Sequence, residues 1–187
     1  MGKRIAACMM LLFSLAACAT ASAGYGKELR RATEKGSVYH STDWQAELIL
    51  RATFFSDAFR EAFAKKHETL RYLSRPEVDR YVAEQEMRQR EGWEFFLSVY
   101  TRKQYQNFSN YDDSFWKIYL ITGSGERVEP VSVDLLPVTP YEKKMFPYID
   151  RWSKAYLVVF PKVELGDEFE LEMTSVVGTS RLKWKLK

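Results

Sequence analysis

The spacing of apolar residues divides the chain near its middle. Before residue 92 the pattern is helical. Trp44, Leu48, Ala52, Phe55, Phe59 and Phe63 recur at steps of three and four, while Glu47, Arg51, Asp57, Arg60 and Lys65 fall between them. Thr42 with Gln45 forms a capping box, with Asp43 in the first turn, so the spacing predicts a helix over 42–73. Ser74, Pro76 and Glu77 restart the signal as N-cap, first-turn proline and capping-box partner. The second helix carries Val78, Tyr81 and Val82 and then becomes polar, and Gly92 ends it.

After Gly92 the period changes from 3.6 to 2. Extended segments are expected over 93–101, 114–122, 128–136, 155–160, 169–175 and 179–186. The last alternates most clearly, with Leu182, Trp184 and Leu186 inward against Arg181, Lys183 and Lys185. Residues 155–160 are nearly all apolar, as a central strand requires, and Pro137, Pro140 and Pro147 punctuate a long crossover with room for one helical turn. The expected fold is α+β: an N-terminal helical pair over 42–91, then an antiparallel β-sandwich of about six strands over 92–187, forming one body. Residues 18–41, rich in Ala, Ser, Thr and Gly without apolar periodicity, read as a tether.

The first residues have another purpose. Lys3 and Arg4 precede an uncharged apolar run over 5–17, too short to span a bilayer as a helix but suited to a signal peptide. The run ends in Leu15-Ala16-Ala17-Cys18. There the sequence resembles bacterial lipoprotein precursors, whose lipobox sets a branched apolar residue and two small residues before a cysteine. The resemblance implies that residues 1–17 are removed and that Cys18 is acylated on sulfur, becoming the lipidated first residue. Ala19 in place of Asp at the next position implies transfer to the outer membrane, on its periplasmic face. Ile5-Ala6-Ala7-Cys8 fits the same four-residue pattern but follows the basic pair directly, with no apolar stretch before it. Ala21-Ser22-Ala23 also offers ordinary signal peptidase a site, which would release a soluble periplasmic protein beginning near Gly24.

Processing changes the composition. The 187 residues carry 28 basic and 25 acidic side chains. Removal of residues 1–17 takes away Lys3 and Arg4 and no acid, so the formal +3 falls toward neutrality and gives no reason to expect nucleic acid. Of the two cysteines, Cys8 is discarded and Cys18 carries lipid, which leaves the body without a disulfide.

Candidate chemistry is sparse. His40 and His67 are the only histidines, and His67-Glu68 fails as H-E-x-x-H because Arg71 stands in the fifth position. Ser114/Lys117 and Ser180/Lys183 match S-x-x-K but fall on expected strands, where residues three apart face opposite ways. G-x-S-x-G, P-loop and dinucleotide-binding patterns are absent, so no cofactor is expected. Asp112-Asp113 and Asp167-Glu168 suit turns. Aromatic residues make up 15% of the chain, most of them expected in the core. The amide-rich segment with Tyr105, Phe108 and Tyr111, and the segment with Tyr148 and Trp152, offer a binding surface. The reading is a non-catalytic envelope lipoprotein whose partners are the membrane, through its anchor, and an envelope protein or peptidoglycan. A carboxylate-based envelope hydrolase and a structural subunit of an envelope assembly are its rivals.

Overall fold

A computed structural model describes residues 24–103, 106, 108 and 111–186. The lipobox and Cys18 lie outside the described residues. The order begins with helix α1 (24–32), strands β1 (Thr33–Tyr39) and β2 (Ala46–Phe54), then helices α2 (Asp57–Arg71) and α3 (Arg75–Glu91). It continues with β3 (Gly92–Thr101), β4 (Lys117–Ile121), β5 (Arg127–Val128), β6 (Ser132–Leu136) and α4 (Pro140–Met145). Strands β7 (Lys154–Pro161), β8 (Glu168–Ser175) and β9 (Gly178–Lys185) end the chain.

The α+β class and the sandwich-like pairing of two antiparallel sheets agree with the sequence reading. One sheet has the order β1-β2-β3-β7-β6 and the other β5-β4-β8-β9. Strand alternation sorts the side chains into two cores. Leu50, Phe95, Leu97 and Val158 of the first sheet meet Ile118, Leu171 and Trp184 of the second. On the opposite face of the first sheet Phe96 stacks on Phe146 at 3.7 Å, within a cluster that includes Tyr25, Leu29, Phe59 and Phe63 from the helices. Helices and two sheets therefore form three layers, with β3 buried on both faces in the middle.

Three expectations are corrected. First, the tether does not extend to residue 41. Tyr25 and Leu29 of α1 are buried, the Tyr25 hydroxyl donates to the Met145 carbonyl at 2.6 Å, and Trp184 Nε1 donates to the Ala32 carbonyl at 2.9 Å. Large apolar side chains buried in this way contribute about 1.5–3 kcal/mol each, and that docking is what the small, polar composition concealed. Second, residues 46–54 are a strand. Leu48, Leu50, Ala52 and Phe54 alternate inward, and Leu48 and Ala52 also satisfy a helical step. The first helix starts only at Ser56, whose hydroxyl accepts from the Phe59 amide at 3.3 Å. Thr42 and Asp43 instead build the β1–β2 turn, where the Gln45 amide donates to Asp43 Oδ1 at 3.1 Å. The helical pair thus follows two strands. Third, nine strands are present among the described residues where about six were expected. The two N-terminal strands account for part of the difference. The rest arises because the segment read as 128–136 breaks at Pro130 into β5 and β6, which belong to different sheets.

The second capping box forms as the sequence indicates, with Glu77 Oε2 accepting from the Ser74 amide at 2.7 Å. Gly92 ends α3, and its hydrogen faces the Phe160 carbonyl so closely that a Cβ would lie 2.6 Å from that oxygen. Of the last strand's expected inward residues, Leu182 and Trp184 are buried and Leu186 is exposed beyond the strand end.

Candidate functional site

The structure distributes the sequence-selected residues over several places. Tyr105 lies outside the described residues. Phe108 is buried between the sheets, edge-on to Tyr156 at 5.2 Å, and Tyr111 lies beside it at 6.3 Å. The Tyr111 hydroxyl donates to the Ile118 carbonyl at 2.8 Å and accepts from the Ile118 amide at 3.0 Å, which fastens the loop to β4. Tyr148 joins the helical layer, with its hydroxyl 2.6 Å from Thr53 Oγ1, and burial pushes its pKa up. Trp152 is 68% exposed, with the Arg151 guanidinium 4.7 Å from its ring centre. Asp112 and Asp113 occupy a turn whose carbonyls at Tyr111 and Asp112 accept from Lys117 Nζ. Glu168 pairs with Lys185 at 2.5 Å. Among the described residues no His, Cys, Asp and Glu side chains are grouped to hold a metal ion.

His67 sits where α2, α3 and α4 meet. Its Nδ1 lies 2.5 Å from the Tyr141 hydroxyl and its ring stacks on Tyr81 at 4.0 Å, while Arg71 covers Tyr141 at 4.4 Å. Burial first, and then the nearby Arg71 charge, lower the His67 pKa, with Glu84 opposing; burial pushes Tyr141 up to about 12. A neutral ring joined to a poorly acidic phenol links the three helices. Because the folded pKa is depressed, the stability given by the neutral ring is complete above about pH 6.5 and is lost as pH falls through the folded value. The urea midpoint is therefore expected to fall between pH 7 and pH 5, and His67→Gln to flatten that dependence; an unchanged slope contradicts the assignment.

A second feature lies under α3. Arg60 and Glu94, only 4% and 5% exposed, pair at 2.7 Å. Arg60 Nη1 donates to Gln85 Oε1 at 3.1 Å, Arg88 approaches Glu94 at 3.8 Å, and the Arg60 guanidinium lies 5.2 Å from the Phe55 ring centre. Lys162 Nζ donates to the Gln89 carbonyl at 2.6 Å, and the Gln89 amide donates to Asp57. Gln85 is the one fully buried residue of α3, so polar bonds hold most of this helix. A groove of about 420 Å³ remains between α2 and α3, with Ala64, Val78 and Val82 along it and Glu61, Lys65 and Glu86 among its charged residues. The sequence offered one sign of this network. Glu94 shares a face with Phe96 on a strand buried on both sides, where a carboxylate needs a cation.

The third feature is electrostatic. The helices cover the first sheet's outer face at Thr53 and Phe96 but leave Lys35, Ser37, Ile49 and Arg51 exposed. Antiparallel pairing sets Lys35 directly opposite Arg51. Like charges so placed are destabilising. Arg30 of α1 joins them around an open cavity of about 630 Å³, whose lining also includes Gly26, Leu29, Thr33, Pro147 and Tyr148. Arg51 lies 5.8 Å from the Tyr148 ring centre. Glu34 is the acidic residue of the lining, and among the described residues none of these three cations forms an ion pair. The arrangement can hold an anion such as a phosphate or carboxylate. Sequence reasoning missed it because 24–41 read as a tether and because residues 16 positions apart become neighbours only through strand pairing.

No family model, no curated protein and no solved structure matches the chain, so similarity assigns neither family nor activity.

Proposed function

We propose that the protein is an outer-membrane lipoprotein, anchored through Cys18 on the periplasmic face, whose body serves a non-catalytic binding or assembly role in the cell envelope. The observation that carries the reading is Cys18 at the end of an uncharged apolar run, preceded by Leu15-Ala16-Ala17. Two or three acyl chains, at about 0.8 kcal/mol per buried CH₂, hold such a body at a membrane without a spanning helix. Among the described residues no helix is long and apolar enough to cross one. The cations around the α1–β1–β2 cavity support a binding role, since none of the three forms an ion pair among the described residues. The partner on this reading is the membrane together with an envelope protein or peptidoglycan.

Density-gradient separation of envelope fractions tests the placement. The protein is expected with the outer membrane and resistant to high-salt washing. Recovery in the inner membrane contradicts the sorting assigned to Ala19. A feature of the sequence favours one other reading: Ala21-Ser22-Ala23 offers ordinary signal peptidase a site, and cleavage there releases the body into the periplasm. Recovery in the soluble fraction supports that reading against the anchor.

A further inference from the structure

We infer that the face formed by α1, β1 and β2 docks on an anionic phospholipid surface, with lipid phosphates held by Arg30, Lys35 and Arg51. The inference rests on the lipid-anchor reading and adds an orientation and a ligand to it.

Chain length supplies the first argument. Cys18 is six residues before Gly24, the first described residue of α1, and a chain of that length spans at most about 20 Å. A folded body of roughly 160 residues has a radius of gyration near 15 Å, and so measures about 40 Å across. An acyl group on Cys18 therefore keeps Gly24 on the membrane-proximal half of the body. Gly26, two residues after Gly24, already lines the basic cavity.

Charge supplies the second argument. Lys35 and Arg51 face each other across the β1–β2 ladder without an acid between them, and Arg30 lines the same cavity. Lys27 is exposed one turn before Arg30. The nearby acids are Glu34, which shares the lining, and Glu28, which pairs with Arg31 at 3.2 Å. A surface of lipid phosphates removes the repulsion between facing cations by placing negative charge against both. Ile49, exposed on the same strand face two residues from Arg51, supplies an apolar contact at headgroup depth.

The test uses the full chain, purified with its anchor and reconstituted in vesicles of phosphatidylethanolamine with or without phosphatidylglycerol. Cys8 leaves with the signal peptide and Cys18 is acylated, so one introduced thiol accepts an environment-sensitive fluorophore. Ser37→Cys marks the exposed face between Lys35 and Ile49, and Glu129→Cys marks the region beside β5, the edge of the second sheet away from β9. Flotation should carry both variants. The Ser37 label is expected to shift to the blue in vesicles containing phosphatidylglycerol, and the Glu129 label to stay in water. Lys35→Glu with Arg51→Glu should lower the docked population at least about tenfold while flotation persists, since each cation near such a surface contributes about a fivefold preference. A chain that floats with Ser37 in water, or whose shift ignores the double reversal, overturns the orientation and leaves the anchor standing. A chain that does not float overturns the anchor and the orientation with it.

Discussion

Replacing Glu94 by alanine is expected to destabilise the protein by about 3–5 kcal/mol, because it leaves the Arg60 guanidinium buried without a counter-charge. The Arg60 Nε already has no hydrogen-bond partner, and Gln85 alone cannot satisfy the remaining donors. Glu94 is also the group that draws Arg88 toward the sheet, so the C-terminal half of α3 loses a contact at the same time. Against a typical stability of about 5–15 kcal/mol, the change is large. The paired substitution Arg60→Met with Glu94→Leu removes both charges and keeps most of the volume, so it is expected to recover most of the loss. Urea midpoints of the two variants decide the matter. Equal destabilisation by the single and the double change contradicts the claim that an unpaired buried charge is the cause.

The second large effect concerns Cys18. In cells given radiolabelled fatty acid, the protein is expected to take up label, and Cys18→Ala to abolish it, because no other thiol follows in the chain. On the proposed reading, loss of two or three acyl chains removes the strong attachment to the membrane. What the inferred docking face would add is electrostatic attraction that salt screens within about 10 Å at 0.1 M. The variant is therefore expected to leave the membrane in high salt, while the wild type stays. Label that persists in Cys18→Ala contradicts the assignment.

How much of this was legible follows from the kinds of signal involved. The second capping box, the glycine that ends α3, the apolar run of β7 and the inward alternation of Leu182 and Trp184 in β9 are local patterns, and each forms as the residues indicate. Strand β1 gave no such pattern. Of its residues only Val38 is buried, and Gly36 is a place where Ser180 of the other sheet comes so close that a Cβ would lie 2.1 Å from its hydroxyl oxygen. The fitness of Gly36 for that site is a property of the packed pair of sheets, not of the segment. In β2 the residues Leu48 and Ala52 satisfied two periods at once, and the tertiary context chose the shorter one. Long-range register hid the basic cavity as well. Lys35 and Arg51 each read as a solvated charge until β1 and β2 pair. Conversely, Phe108 looked available in an amide-rich loop and is buried between the sheets, because an aromatic ring beside Tyr156 fills core volume that a polar loop residue cannot.

Where the mature chain begins, and what it carries there, decides between an anchored and a released body. Intact-mass analysis of the protein extracted from membranes, followed by sequencing of its N-terminal peptide, addresses both. The expected mature protein begins at Cys18 and is heavier than its amino-acid sequence by the mass of a diacylglyceryl group, with a further fatty acid on its amino group in a Gram-negative cell. A mature protein that begins at Gly24 with the mass of its unmodified residues contradicts the anchor, and with it the membrane-facing orientation of α1 and the basic face.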